Sequence, residues 1–148
     1  MTRQILYDNN YLLRIVTDKV KMYRNTIQKQ LIEEATKMLH HPTAQEIYHY
    51  VKERCPNVSQ GTVYRGLTFL INIGKVHQIE IPNGADCFDF NCEQHYHLVC
   101  KKCGKVGDTD IPYMKELNDI REKYQYIHTH TLLFYGECPE CYQQGKEK

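Results

Sequence analysis

Cys87-Phe-Asp-Phe-Asn-Cys-Glu-Gln-His-Tyr-His-Leu-Val-Cys-Lys-Lys-Cys-Gly-Lys-Val-Gly-Asp108 decides the reading of this chain, because it sets two kinds of metal chemistry side by side. The Cys100-x-x-Cys103 pair within it is matched by a second pair, Cys138 and Cys141, further along the chain. Four soft thiolates in two such pairs are the set that a structural Zn(2+) takes up in a closed tetrahedron. Asp89, His95, His97 and Asp108 are interleaved with them and offer harder oxygen and nitrogen donors, which suit Fe(2+), Mn(2+) or a similar ion. Both sets in one short segment predict a scaffold metal and a second, sensed metal.

Outward from that segment, His95 to Cys100 alternates as a strand, with His95, His97 and Val99 on one face and Tyr96, Leu98 and Cys100 on the other. Two imidazoles two residues apart on a strand can grip one ion. Surface strand histidines are the bland alternative, and the carboxylates of Asp89 and Asp108 on either side argue for the ion. Lys105 to Asp110 reads as a second strand. Pro112 opens a helix with Met114, Leu117, Ile120 and Tyr124 inward, and Tyr126 to Tyr135 forms the last strand before the Cys138 knuckle. Such a unit buries little by itself, so it is expected to need both the zinc and a dimer partner. A disulfide, thioredoxin-like or thiol-switch use of the four cysteines is the alternative. Cys55, Cys87 and Cys92 lie outside the set and read as small buried or bystander residues, with Cys92 open to reaction near the histidines. His40, His49 and His77 read as ordinary histidines, and His41 alone as a helix-end cap.

Upstream, Ile27, Leu31, Ala35 and Met38 recur at helical spacing. His41-Pro42 stops that helix, since proline disfavours the α conformation in the residue before it. Thr43-Ala-Gln-Glu46 has capping-box form and opens a second helix with Ala44, Ile47, Tyr48 and Val51 buried. After a turn at Cys55-Pro56-Asn57-Val58, Ser59 is the N-cap of a third helix. Its apolar face is Val63, Leu67, Leu70 and Ile71, and Gly74 stops it. The opposite face of its first turns shows Gln60, Gly61, Tyr64, Arg65 and Thr68, the groups a recognition helix lays against bases and phosphates in a major groove. A solvated face is the alternative. Val76–Ile81 and Asp86–Phe90 alternate around Asn83-Gly84, a hairpin signal. Three helices and a hairpin make a winged helix-turn-helix. A further helix is expected over Asn10–Val20, where Arg14, Lys19 and Lys21, with Arg24 beyond, read as ordinary solvated charges, with phosphate contact as the alternative.

The 148 residues suffice for one domain or two small ones. No apolar run approaches ~20 residues, which excludes a helical membrane span. No secretory h-region follows Met1, so a cytoplasmic location is expected and metal binding is preferred to disulfides. Residues 1–80 carry 11 Lys+Arg against 7 Asp+Glu, and residues 81–148 carry 8 against 11, so a net +4 half is joined to a net −3 half. That asymmetry fits nucleic acid upstream and metal downstream.

These motifs, taken in order, resemble the ferric uptake regulator family. The pieces are His41-Pro42-Thr43-Ala44 with Ile47-Tyr48, Val58-Ser59 with Thr62-Val63-Tyr64-Arg65 and Leu67, Phe88-Asp89, His95-x-His97-x-x-Cys100-x-x-Cys103-Gly104, and Tyr135-Gly136 with Cys138-Pro139 and Cys141. The resemblance implies a homodimeric, metal-dependent transcription regulator with zinc on Cys100, Cys103, Cys138 and Cys141. It also implies that His41 joins Asp89, His95, His97 and Asp108 in a regulatory site for Fe(2+) or Mn(2+). Asp108 resembles the peroxide-responsive branch, where iron-uptake members more often have Glu; there His41 and His95 are the oxidation-sensitive ligands. Gln94 and Tyr96 stand where many iron-uptake members have further ligands, although His130 matches a family histidine. Around Tyr23-Arg-Asn-Thr26 the chain departs from the family's Thr-Pro-Gln-Arg helix opening.

The expectation is therefore an α+β protein. Residues 1–86 form a winged-helix DNA-binding domain, 87–94 a hinge, and 95–148 a small α/β dimerisation domain with the four-cysteine zinc site. Its function is to repress transcription from a palindromic double-stranded operator as a homodimer and to sense hydrogen peroxide through Fe(2+), with Ser59, Gln60, Thr62, Tyr64 and Arg65 on DNA. It has no membrane and no substrate beyond metal ions and peroxide. An iron- or other metal-uptake regulator of the same family is the nearest alternative. A non-haem iron enzyme and a zinc-stabilised interaction module are rivals of other classes; five protein ligands leave an enzyme little open coordination.

Overall fold

Residues 27–146 are described by the computed structural model. The expected helix over Asn10–Val20, with Arg14, Lys19, Lys21 and Arg24, lies outside them. Three helices open the described chain, α1 Ile27–Met38, α2 Ala44–Arg54 and α3 Gln60–Asn72. Antiparallel strands β1 His77–Ile79 and β2 Cys87–Asp89 follow as the wing. The second half has β3 His97–Cys100, β4 Val106–Asp108, α4 Glu116–Lys123, β5 Leu133–Gly136 and α5 Pro139–Lys146. Its sheet runs β4-β3-β5, antiparallel on one side of β3 and parallel on the other. This is an α+β chain: a winged helix-turn-helix, then a smaller α/β unit.

Local chemistry sets the helix ends. The Thr43 hydroxyl accepts the Glu46 N–H while the Glu46 carboxylate accepts the Thr43 N–H, a complete capping box. Ser59 Oγ accepts from the Thr62 N–H at 3.1 Å. At the end of α3, the Gly74 N–H reaches the Ile71 carbonyl and the Lys75 N–H the Leu70 carbonyl, with Gly74 at φ 73°. That is a Schellman stop, which needs the left-handed conformation glycine adopts freely.

The main core lies between the three helices and the wing: Ile32, Ala35, Ile47, Val51, Val63, Leu67, Leu70, Val76 and Phe88 are among its buried members. The face of α1 differs from expectation. Ile27 and Met38 are exposed while Ile32 and Thr36 are buried with Leu31 and Ala35. The buried face is turned by one residue because Ile32 sits against Gly66 of α3, where a Cβ would come within 2.7 Å of Ile32 Cδ1.

Several expected elements are shorter or shifted. The hairpin carries a turn at 81–84, where the Gly84 N–H bonds the Ile81 carbonyl. Pro82 and the positive-φ Asn83 hold its two central positions, the type II arrangement. The expected hinge therefore opens inside a strand: Cys87–Asp89 pairs with β1, and Phe88 is in the helical core. The last strand is only Leu133–Gly136, because four-residue β3 can satisfy no longer partner. Helix α4 starts at Glu116 instead of Pro112, after the Met114 N–H has bonded the Tyr96 hydroxyl. Met114, Ile120 and Tyr124 are exposed and Leu117 is half-buried, since among the described residues no second layer covers that face. Helix α5, with Pro139 in its first turn, was not foreseen.

Candidate metal centres and nucleic-acid interface

Parallel pairing of β3 with β5 sets Cys100 opposite Gly136, which carries Cys138 and Cys141 to the Cys100 knuckle. One Sγ from each of Cys100, Cys103, Cys138 and Cys141 lies within 4.8 Å of every other, and all seven cysteines of the chain are free. A tetrahedron with bonds of about 2.3 Å has edges of about 3.8 Å, and Cys103 Sγ lies 3.8 Å from Cys138 Sγ. The backbone N–H groups of Cys103 and Cys138 point at Cys100 Sγ, at 3.5 and 3.3 Å. They pull that thiol down to about 6, while the Cys138 sulfur and burial push Cys141 up to about 12. A thiolate stabilised by knuckle amides, ringed by three more sulfurs, fits zinc.

The second cluster is assembled from four separate segments. His40 and His41 both turn left-handed, at φ 46° and 53°, where the proline that follows would favour an extended His41. This corner is stitched to the wing, because the Phe88 N–H bonds the Pro42 carbonyl at 2.9 Å and Thr43 bridges Cys87. His41 and Asp89 are thereby neighbours. Strands β3 and β4 place His97 opposite Asp108, and His95 lies just before β3.

The donor atoms converge. His41 Nε2 lies 2.8 Å from Asp108 Oδ1 and 3.8 Å from Asp89 Oδ2. His95 Nε2 is 2.9 and 3.0 Å from the same two oxygens, and His97 Nε2 is 3.6 and 3.3 Å from them. Bonds of roughly 2.1 Å set adjacent donors about 3.0 Å apart at right angles, so these separations fit one ion. Buried His41 Nε2 has no aligned hydrogen bond despite its near carboxylate. His95 Nδ1 meets the Glu93 carbonyl at 2.7 Å; a carbonyl only accepts, so Nδ1 carries a proton and Nε2 is the ring atom turned to the carboxylates. Facing two carboxylate oxygens, Nε2 needs a positive partner between them, a ring proton or a metal ion.

Titration follows the same logic. Burial holds His41 below its ordinary value, with Asp89 and Asp108 opposing. Burial would raise Asp89, but His97, the Asn91 amide, His41 and His95 together hold it below the usual range. Burial would lower His95, but the Glu93 carbonyl and both carboxylates raise it. His130 is not in the cluster; it lines a cleft of about 410 Å³ with Gln94, Tyr96 and His95. Cys92 is no readier thiolate, since burial and the Asp89 charge push it up, and burial pushes Cys87 up to about 11. The sequence reading missed Pro42 and Phe88, whose backbone bond joins two ligand segments; the adjacency of His41 to Pro42 and of Phe88 to Asp89 was the available signal.

On α3, Gln60, Tyr64 and Arg65 are exposed and Thr62 is half-buried. Arg65 donates to Thr62 Oγ1 at 3.2 Å and Gln60 to Gln45 at 3.5 Å. Ser59 is spent mainly on its cap. A guanidinium, two amides and a phenol thus stand along the outer face of α3 and α2.

Residues 18–135 match the Ferric uptake regulator family. The chain belongs to that family. It is a metal-responsive regulator and not an enzyme. It is 33% identical over 136 residues to the "Peroxide-responsive repressor PerR" of Staphylococcus epidermidis, covering 90% of this chain and 87% of that one. The Campylobacter jejuni peroxide stress regulator is 26% identical, with a TM-score of 0.59 over 90% of this chain and 99% of the other. The Helicobacter pylori ferric uptake regulator shares the fold, with a TM-score of 0.67 at 24% identity over 96% and 97%. Among the described residues of this family member, no helix is long and apolar enough to cross a membrane.

Proposed function

We propose that this Fur-family chain is a peroxide-sensing repressor, cytoplasmic and homodimeric, that binds a palindromic double-stranded operator. Zn(2+) on Cys100, Cys103, Cys138 and Cys141 holds the second half together. Fe(2+) or Mn(2+) is held by His41, Asp89, His95, His97 and Asp108. The observation that carries the reading is the convergence of His41 and Asp89, from the DNA-reading half, on the same point as His95, His97 and Asp108. Drawing these five together fixes the angle of the reading half and so whether two half-sites can be engaged at once. Ser59, Gln60, Thr62, Tyr64 and Arg65 then face DNA.

The peroxide branch is supported by the Asp at 108 and by relatives that are peroxide-responsive repressors. Fe(2+), when bound, would catalyse the reduction of hydrogen peroxide at the site, with the two electrons drawn in net from a ligand ring. His41 and His95 are the rings that take the damage: net, a ring C–H and H2O2 become a ring carbonyl and water, a gain of one oxygen. An oxidised ring loses its lone-pair geometry, the five ligands part, and the operator is released.

Mass spectrometry of the Fe(2+) protein after dilute peroxide tests this. The expected result is one added oxygen on a peptide holding His41 or His95, with none in the Mn(2+) protein. An unmodified chain that still binds operator in a metal-dependent way would assign it to metal uptake.

A further inference from the structure

Asp89 and His95 are joined by a run of hydrogen bonds, each spanning two residues. Asp89 Oδ1 accepts the Asn91 N–H at 2.8 Å. Asn91 Oδ1 accepts the Glu93 N–H at 3.1 Å. The Glu93 carbonyl accepts the His95 Nδ1 proton at 2.7 Å. The first two are Asx turns, in which a short side chain replaces a backbone acceptor. Asp89 thus has one oxygen occupied by the relay and the other, Oδ2, aimed at the three imidazoles. His95 likewise has Nδ1 occupied and Nε2 aimed at the same place. Asn91 supplies the one side chain in the relay that is not itself a ligand.

We propose that Asn91 is a positioning residue for the regulatory site: its carboxamide oxygen shapes the 89–95 connection so that Asp89 Oδ2 and His95 Nε2 meet. The inference rests on the metal site proposed above. Without that acceptor the Glu93 N–H loses its partner, and the Glu93 carbonyl is no longer held against His95 Nδ1. The ring is then free to turn, and Nε2 is no longer aimed at the point where Asp108 Oδ1 and Asp89 Oδ2 lie 2.9 and 3.0 Å away. Asn91 and Glu93 are exposed, so the substitution opens no cavity and the fold should be unaffected.

Equilibrium dialysis of Mn(2+) against zinc-loaded full-length protein is the test. Asn91→Ala should bind Mn(2+) about 10–100-fold more weakly, the usual effect of removing a group that orients a ligand, with zinc content and Tm unchanged. Asn91→Asp restores the acceptor but adds charge, so Asn91→Ser, whose hydroxyl makes the same turn more weakly, should recover part of the loss without it. Wild-type affinity in Asn91→Ala, or no recovery in Asn91→Ser, overturns the proposal. Asp89→Ala is the separate control: weakened Mn(2+) binding there beside wild-type affinity in Asn91→Ala overturns the role of Asn91 alone, whereas wild-type affinity in both overturns the metal site as well.

Discussion

Replacing Asp108 by Asn should change stability in opposite directions at low and high pH, because the cluster of His41, Asp89, His95, His97 and Asp108 sets two carboxylates close together among imidazoles. The ligand oxygens of Asp89 and Asp108 lie within 4.8 Å of each other. Two charges at that distance repel by at least about 3.5 kcal/mol at an effective dielectric of about 20, and by about 0.9 kcal/mol in bulk water. The Asp108 side chain is 51% exposed, so about 1–2 kcal/mol is the reasonable range. Against this, His95 lies 2.9 Å from Asp108 Oδ1, and its pKa is raised above the ordinary ~6.5. A group raised on folding contributes stability that is complete below its unfolded pKa and is lost as pH rises through the folded one. At about pH 6, then, imidazolium offsets the two carboxylates, and Asp108→Asn should lose up to about 1 kcal/mol, as for a partly exposed pair. At about pH 9 the ring is neutral, the repulsion is uncompensated, and the variant should be more stable by about 1–2 kcal/mol. Urea unfolding of zinc-loaded protein without a second metal reads both. Mn(2+) at 100 times its Kd should add about 2.7 kcal/mol to wild type and much less to the variant. A variant less stable at both pH values, or one with an undiminished Mn(2+) gain, would refute the reasoning.

Three further outcomes are expected. Stripping zinc under denaturant-free conditions should remove hydrogen-exchange protection from β3, β4 and β5 while α1–α3 keep theirs, because the second half buries few apolar side chains beyond Tyr96 and Val99, whereas the helical half has its own core; uniform loss or uniform retention would contradict it. Ser59→Ala should cost about 1 kcal/mol in urea unfolding, since the Thr62 N–H loses its cap. Arg65→Ala should weaken operator binding by about 1–3 kcal/mol in fluorescence anisotropy with Mn(2+) present if the exposed guanidinium reads a base, and no loss would make it a solvated side chain.

Features that depend on neighbours in the chain were legible. The Thr43–Glu46 capping box, the Ser59 cap and the Gly74 stop each involve groups within a few residues, and all three stand in the structure. So do the Cys-x-x-Cys knuckles, whose spacing alone brings two sulfurs to one side. The α1 face was misread because Ile32 is also compatible with helical spacing, and only the close approach of Gly66 decides which stripe is inside. The length of the last strand was misread for a related reason: alternation describes a residue's neighbours, while strand length depends on how many backbone partners β3 offers.

The sequence by itself determined the helix boundaries of the reading half, the four-cysteine set and the presence of hard ligands, because these follow from spacing and from side-chain chemistry. Only the tertiary structure decided that the strand carrying Asp89 lies against His41, that an amide–carbonyl bond from Phe88 to Pro42 joins them, and that three Nε2 atoms and two carboxylate oxygens meet at one point. Their meeting depends on strand register and on a left-handed corner at His40 and His41. Those are set by long-range hydrogen bonds and packing, which no local run of residues encodes.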